Sequence, residues 1–560
     1  MSTRKKTPKT TQHSLKGVAR RELGIELEMK HQSSDWSGEL TPDMLEYAAN
    51  DVFVLLPLAE TLGAKVEDAG LAKVSEIEHR AILAMVWMKN AGVPFDVQRW
   101  EECLEKVKDD VHRLEEELAG FAPKRPGGES WNWRSHQQAK EAFALVGIKL
   151  PNTDKETLSS CDHPLAKLLL EYRKASKLVS HYGPKFLGFV SEDGRIHPDW
   201  YQIGTETGRM SCSEPNVQQL QQEVRRCVRA PEGRALVWAD YAQAEIRVLA
   251  AASGDPTLVV ALRAGRDPYK ATAANVFDVP EDEVSDEQRG VAKVLIFSFI
   301  FGGSAFGIAR KLDIAEREVG RLMSRYFAAH PRVKAFLSRT EQRVLDTGVA
   351  RTLTGRIRRF EDVHAKNRKG RGEVVRQAMN HPMQGSCADG LKLGLVLLYE
   401  RRHDCPGAFP IIALHDEIVV ECNEEDAEAV ATWLEQSMKD GMAEVLALGA
   451  SEDHHIPVEV EVKSSKTWGY GLLWSPAASE HVEGEEYITN VYSEDEPVPI
   501  KVYIDYRDLS ADIYPQIDAC GECAEEYSEY ISEVDDLRPG EAARCEICGK
   551  ENAAARELWE

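Results

Sequence analysis

The stretch IIALHDEIVVEC (411–422) is two short apolar runs that meet at His415, Asp416 and Glu417. Runs of this length, rich in Ile and Val, read as two strands with the acids at their junction. A second run, ALVWAD (235–240), ends in Asp240, and DYAQAEIR (240–247) starts a helix or turn directly after that acid. VEVEVKS (458–464) is a further strand signal. A sheet built from these runs brings Asp240 and Asp416 to its edge. Two such carboxylates, side by side, can hold two Mg²⁺ ions about 3.5–4 Å apart for in-line phosphoryl displacement. Each Asp taken alone reads more readily as a solvated turn acid.

Between these runs lie helical stretches, from about 256 to 345 and from about 372 to 402. Within the first, QRGVAKVLIFSFIFGG (288–303) places Arg289, Lys293, Phe297 and Phe301 four residues apart. On a helix each such step drifts by only about 40°, so two cations and two aromatics share one stripe. That order suits a nucleoside triphosphate laid along the helix, with phosphates on Arg289 and Lys293 and the base and sugar against Phe297. The alternative is an amphipathic core helix with two snorkelling bases.

Working outward, residues 73–190 are dominated by amphipathic segments: EIEHRAILAMVWMKNAG (76–92), RWEECLEKVKDDVHRLEEELAGF (99–121) and HPLAKLLLEYRKASKLVSHYG (163–183). They imply a helical domain, with RPGGESWNW (125–133) as a loop. PDMLEYAANDVFVLLPLAETL (42–62) reads as one helix. At 560 residues the chain is too long for a single core. No run of about 18 uncharged apolar residues is present, and the basic start is not followed by an apolar stretch, so no membrane span or secretory signal is expected. A cytoplasmic setting follows.

The net charge of −24 argues at first against a nucleic-acid partner. Residues 475–560, however, hold 23 acids and 6 basic residues, about −17 of that total. Elsewhere the basic residues cluster: Arg225, Arg226 and Arg229; Arg351, Arg356, Arg358 and Arg359; Lys366, Arg368, Lys369 and Arg371. Seven of the eleven cysteines are scattered singly, as in a reducing compartment.

TETGRMSCSEPNVQQ (205–219), DYAQAEIR (240–247), RGVAKVLIFSFIFGG (289–303), RQAMNHPMQGSCAD (376–389) and LHDEIVVE (414–421) stand in the order and at the distances seen in family A DNA polymerases. The chain resembles a phage-type relative of bacterial DNA polymerase I. The resemblance implies that Asp240 and Asp416 are metal ligands, with the Tyr241 carbonyl as a further ligand and Glu417 as an auxiliary acid. It makes Glu245 the steric gate that rejects a 2′-hydroxyl. Arg289 and Lys293 become triphosphate ligands, Lys293 also protonating the leaving pyrophosphate, and Phe297 faces the sugar. Arg209, Asn216 and Gln218, and a second set of Arg376, Asn380 and Gln384, match residues that touch primer or template, while His415 matches one near the primer terminus. Arg, Asn and Gln suit a copying enzyme because minor-groove acceptors recur in every base pair. The chain departs from the family at Phe301, Ile296, Ser298 and Tyr269, where Tyr, Asn, Gly and His are common.

Residues 14–55 resemble the last part of a 3′–5′ exonuclease domain, with Tyr47 and Asp51 matching its YxxxD motif. No DxE pair lies upstream and 13 residues precede the stretch, so a truncated remnant without proofreading is expected. It is either a packing element or half of a nuclease completed by a separate polypeptide. At the other end, Cys520, Cys523, Cys545 and Cys548 form CxxC…CxxC with 21 residues between the pairs. That spacing suits one structural Zn²⁺ in a ribbon. Its acidic surroundings favour contact with replication proteins over DNA.

The expected fold is a multidomain α/β, right-hand polymerase fold of palm, fingers and thumb. The expected domains are an exonuclease remnant at 1–72, thumb at 73–195, palm at 196–255 and 365–475, fingers at 256–364, and an acidic extension with a zinc ribbon at 476–560. The expected reaction adds dNTPs to the 3′-hydroxyl of primer–template DNA. A non-catalytic DNA-binding protein is opposed by the intact Asp240, Asp416, Lys293 and Arg289, a nuclease by the missing DxE, and an RNA polymerase by Glu245.

Overall fold

The computed structural model describes residues 14–28, 30–122, 124–125, 128–300, 303, 305–312, 314–360, 363, 368–451, 455–473, 500–503, 517–519 and 533–536. Two compact units are present: residues 1–79 with 354–356, and residues 80–353 with 357–560.

The first unit is built from helices Leu15–Leu23, Pro42–Phe53 and Leu55–Asp68. Ser14 and Thr41 cap two of them, accepting from the Gly17 and Met44 amides at 3.2 and 3.3 Å. Its small core joins Ala19, Leu27, Val54 and Leu58. The single helix expected over 42–62 is two, meeting at Val54. Pro57 has no N–H to return to the Phe53 carbonyl, so the ladder breaks there.

The second unit is organised on a five-stranded sheet. Arg234–Tyr241 is its central strand, flanked on one side by Glu417–Asn423 and then Phe409–Leu414, and on the other by Val460–Thr467 and then Tyr470–Leu473. Every pairing is antiparallel. The three strand regions read from the sequence are all present, and the last strand was not anticipated. Side chains alternate between two cores. Ala235, Val237, Ala239 and Tyr241 pack into the larger one, while Leu236 and Trp238 join the other with Val93, Trp100, Val224 and Trp468.

Two long helices, Arg368–Glu400 and Ala427–Leu446, contribute to the larger core. They meet backbone to backbone: a Cβ on Gly441 would lie 2.4 Å from the Gly394 amide nitrogen and 2.8 Å from the Leu393 carbonyl carbon. Between residues 244 and 347 a run of helices inserts into the sheet topology. Asp255 and His330, both wholly buried, tie this insertion together. Asp255 caps helix Pro256–Arg263, accepts from the Arg332 amide at 3.2 Å and bonds His330 Nδ1 at 3.1 Å. Burial, the largest single effect, raises the Asp255 carboxyl, but the bond and charge of His330 and the Arg332 and Val333 amides together outweigh it, and the net displacement is downward.

Helices Val97–Phe121, His136–Leu145 and Pro164–Tyr182 form a separate apolar cluster around Leu118, Trp133, Phe143 and Leu169. The segments expected as helices there are helical, and the one at 136–145 is additional. Three short strands, Ile500–Tyr503, Ile517–Ala519 and Glu533–Asp536, pair in the acidic extension. Cys520, Cys523, Cys545 and Cys548 lie outside the described residues.

Replacing Gly441 by Ala should destabilise the chain by about 1–3 kcal/mol, because the obstacle is backbone. Gly320→Ala, which meets nothing within 4 Å at an exposed position of helix Glu316–Ala329, should instead be neutral or stabilising by up to about 1 kcal/mol. Urea unfolding of both variants checks the contrast.

Candidate functional site

Asp240 is the penultimate residue of the central strand, in register with Glu417 on one neighbour and Glu461 on the other. Leu414 pairs with Glu417, leaving His415 and Asp416 as a two-residue turn. His415 adopts a left-handed φ of 51°, a conformation that costs a non-glycine residue roughly 1–2 kcal/mol. The Tyr241 amide donates to the Asp416 carbonyl at 3.2 Å, so the ladder continues into the turn. Both aspartates are half-buried and sit at the same end of neighbouring strands. The strand end and the turn at which the sequence places these two acids therefore lie side by side in the sheet.

Tyr241 locks this end from beneath. Its buried hydroxyl donates to the Met438 carbonyl at 2.8 Å and approaches that of Gly390 at 3.3 Å. Burial raises its pKa far above the ordinary tyrosine value, with Cys387 and Asp416 adding to the rise. Cys387 is itself buried. Desolvation first, then the nearby Glu245 and Asp416 carboxylates, push its thiol up while Arg209 opposes them. Those charges therefore converge above one cysteine, which sequence reasoning did not single out.

Glu417 is placed differently from Asp416. It is 3% exposed and accepts from Trp468 Nε1 at 2.7 Å, and Arg225 stacks on that indole with Cζ 4.6 Å from the ring centre. Its carboxylate is turned into the buried face of the sheet. Nothing local in the sequence pairs it with a tryptophan 51 residues away.

Glu245 lies in the first turn of helix Ala244–Ser253, with Arg209 Nη2 at 4.0 Å from its Oε1. Gln218 Nε2 donates to the Ala413 carbonyl at 2.8 Å, which ties its loop to the acidic hairpin. Asn216 caps the short helix Val217–Gln219, accepting from the Gln218 amide at 3.1 Å. Arg376, Asn380 and Gln384 follow at four-residue spacing on helix Arg368–Glu400, Arg376 exposed and the other two half-buried. At Gly385 a Cβ would come within 3.0 Å of the Thr207 carbonyl, so this helix runs close against the loop that carries Arg209. Two polar atoms in these sets, Arg209 Nε and Asn380 Oδ1, are buried with no hydrogen-bond partner among the described residues.

Arg289, Lys293 and Phe297 lie on helix Asp286–Ile300, and Phe301 falls outside the described residues. Tyr269, noted in the sequence only as a departure from the family, stands at the centre of this group. Its ring centre is 5.3 Å from Arg289 Cζ, 5.6 Å from Lys293 Nζ and 6.2 Å from the Phe297 ring. Burial pushes the Lys293 ammonium down to about 8, Arg289 adding to the effect and Asp267 opposing it.

In the first unit, Tyr47 and Asp51 stand one turn apart on helix Pro42–Phe53. The Tyr47 ring packs edge-on to His31 at 5.9 Å and against Trp36 at 6.2 Å. Desolvation and the adjoining Asp51 raise its hydroxyl pKa.

The donor set at the sheet end consists of two carboxylates and a neighbouring main chain. Oxygen donors of this kind suit a hard divalent cation. Among the described residues no group of three or more His, Cys, Asp or Glu side chains is placed to hold a metal.

Residues 97–470 match the family description DNA polymerase family A, and residues 2–67 match 3′-5′ exonuclease. The thermostable DNA polymerase I of Thermus aquaticus is 32% identical over 458 residues, 77% of this chain and 52% of the relative. DNA polymerase I of Pseudomonas aeruginosa is 30% identical over 490 residues, 82% of this chain and 52% of the relative. The chain thus spans about half the length of these relatives. A solved structure, the POL domain of Pol1 from M. smegmatis in complex with DNA primer-template and dNTP, superposes with a TM-score of 0.67 at 26% identity, covering 81% of this chain and 79% of that one. The matched span takes in the acidic sheet end, the cation-aromatic helix and the helix of Arg376, Asn380 and Gln384, and on it the chain belongs to DNA polymerase family A.

Proposed function

We propose that the chain is a template-directed DNA polymerase that joins a dNTP to a primer 3′-hydroxyl. The observation that carries this reading is the pair Asp240 and Asp416 at one end of neighbouring strands, bound through the Tyr241 amide to the Asp416 carbonyl. The M. smegmatis relative, solved with primer-template and dNTP, supports the substrate class. On this reading the sheet regions 196–255 and 365–475 are the palm, 256–364 the fingers and 73–195 the thumb. The relatives above are bacterial, so a phage-type replication role rests on the sequence alone.

Asp240, Asp416 and the Tyr241 carbonyl are the groups that would hold Mg²⁺. Two such ions, when bound, would acidify the 3′-hydroxyl and neutralise charge on the triphosphate and leaving pyrophosphate. The residues of the chain do the positioning. Arg289 and Lys293 bind the phosphates, and Phe297 and Tyr269 wall the sugar and base. Glu245, steadied by Arg209, fills the space of a 2′-hydroxyl. Arg209, Asn216, Gln218, Arg376, Asn380, Gln384 and His415 line the path of primer and template. Glu417, bound to Trp468, fixes the hairpin that presents Asp416. Positioning and charge neutralisation supply most of the rate in phosphoryl transfer.

Tyr47 and Asp51 are read as the part of a 3′–5′ exonuclease motif that this stretch carries, Asp51 supplying one carboxylate. Cys520, Cys523, Cys545 and Cys548 are read as one Zn²⁺ site of structural type. Metal analysis should find about one zinc per chain and its loss in Cys545→Ser.

Primer extension with Mg²⁺ tests the main reading. The chain should extend with dNTPs and poorly with rNTPs. Asp416→Ala should lose roughly 10³-fold or more in rate. Absence of dNTP extension by the intact chain overturns the proposal.

Lys293 supplies a second test. As an acid toward pyrophosphate it must be protonated, so the rate of the chemical step should fall as pH rises through about 8. Lys293→Arg keeps its proton throughout and should be slower but lack that limb. An unchanged limb in the variant would assign the titration to another group.

A further inference from the structure

Arg289 and Lys293 are held by the turn that begins the neighbouring helix, Pro268–Phe277. Asp267 caps that helix through Oδ1, accepting from the Tyr269 and Lys270 amides at 2.7 and 3.2 Å. Its other oxygen accepts from Arg289 Nε at 2.7 Å. Among the described residues this is the one hydrogen bond that the Arg289 side chain makes. Next to it, the Tyr269 ring, 3% exposed, lies within cation–π distance of both Arg289 and Lys293.

We propose that Asp267 is a positioning residue that aims Arg289 at the incoming triphosphate, with Tyr269 as the shared floor of the two cations. The inference rests on the assignment of Arg289 to the triphosphate made above. A guanidinium is a rigid planar fork of five N–H donors. With Nε engaged by Asp267, the plane is fixed and the donors on Nη1 and Nη2 remain for a phosphate. A carboxylate bound to the Nη groups would occupy the face a phosphate needs, whereas one bound to Nε orients the fork without blocking it. Fixing the fork in advance lowers the ordering cost of binding. The aromatic floor attracts both cations without neutralising either.

The pair does little as a stabilising salt bridge. Its side chains are 30% and 27% exposed, and ion pairs that open to water are worth about 0–1 kcal/mol. The Asp267 bond also crosses between two helices, so it fixes the cation of one relative to the aromatic of the other. Tyr269 itself is in the same apolar core as Phe297 and Tyr241, so the floor is anchored to the sheet that carries Asp240.

Asp267→Asn separates positioning from folding, because Asn caps a helix as well as Asp does. Steady-state kinetics of the full chain on primer-template should show KM for dNTP raised about tenfold, the scale of one charge-assisted hydrogen bond, with kcat unchanged. Asp267→Ser, another capping residue, should reproduce the effect, and Asp267→Glu should restore part of the affinity. In an Arg289→Ala background, Asp267→Asn should add nothing further. If Arg289→Ala raises KM while Asp267→Asn leaves it unchanged or lowers it, the positioning role is overturned. If Arg289→Ala itself leaves KM unchanged, the assignment of Arg289 to the triphosphate fails, and this inference with it.

Discussion

Two carboxylates held at one end of neighbouring strands repel each other, and the sheet is arranged to withstand that repulsion. Charges about 5 Å apart in a medium of effective dielectric about 20 repel by roughly 3 kcal/mol, a sizeable part of the stability of a typical domain. Backbone bonds supply part of the opposing work. The Tyr241 amide binds the Asp416 carbonyl, and the Tyr241 hydroxyl binds the Met438 carbonyl of a helix beneath. That helix in turn meets its partner through Gly441 and Gly394, where no side chain keeps the backbones apart. The strained turn at His415 is thus supported from below by close helix packing, as sites that store backbone strain require.

The helical insertion uses buried charge in a different way. Asp255 and His330 are both excluded from water, and their bond joins the N-terminus of one helix to that of another. Asp267 and Arg289 are partly open to solvent and do not carry the same structural burden. The closed pair holds helices in place, and the open pair holds a cation ready. Exposure decides which role an ion pair can play, since a pair that water reaches is weak enough to share its cation with a ligand.

Local pattern and long-range contact divide what was legible in the sequence. The strands that end at Asp240 and meet at Asp416, and the helix that lines up Arg289, Lys293 and Phe297, are periodic features within a few residues, and each was readable. The break at Val54 was missed because apolar spacing continues through Pro57, whose effect falls on a carbonyl four residues back. Asp267 and Tyr269 were missed as parts of the site because they meet the cation helix from another element, 20 or more residues earlier in the chain. Cys387 was missed for a similar reason: its position under the carboxylates depends on how a long helix lies against the sheet.

Glu417 illustrates why neighbours in sequence need not share a role. Asp416 and Glu417 are adjacent acids, and the resemblance in sequence makes the first a metal ligand and the second an auxiliary acid beside it. Glu417 is the first residue of a strand, in register with Asp240 and on the face where Val419 and Trp468 are buried. Asp416 belongs to the turn, where the strand alternation no longer applies. Burial of Glu417 at 3% exposure would be costly without partners, and the Trp468 indole supplies one at 2.7 Å. Trp468 is held in turn under the Arg225 guanidinium. A carboxylate enclosed in this way has its orientation fixed by the Trp468 indole and the packing around it.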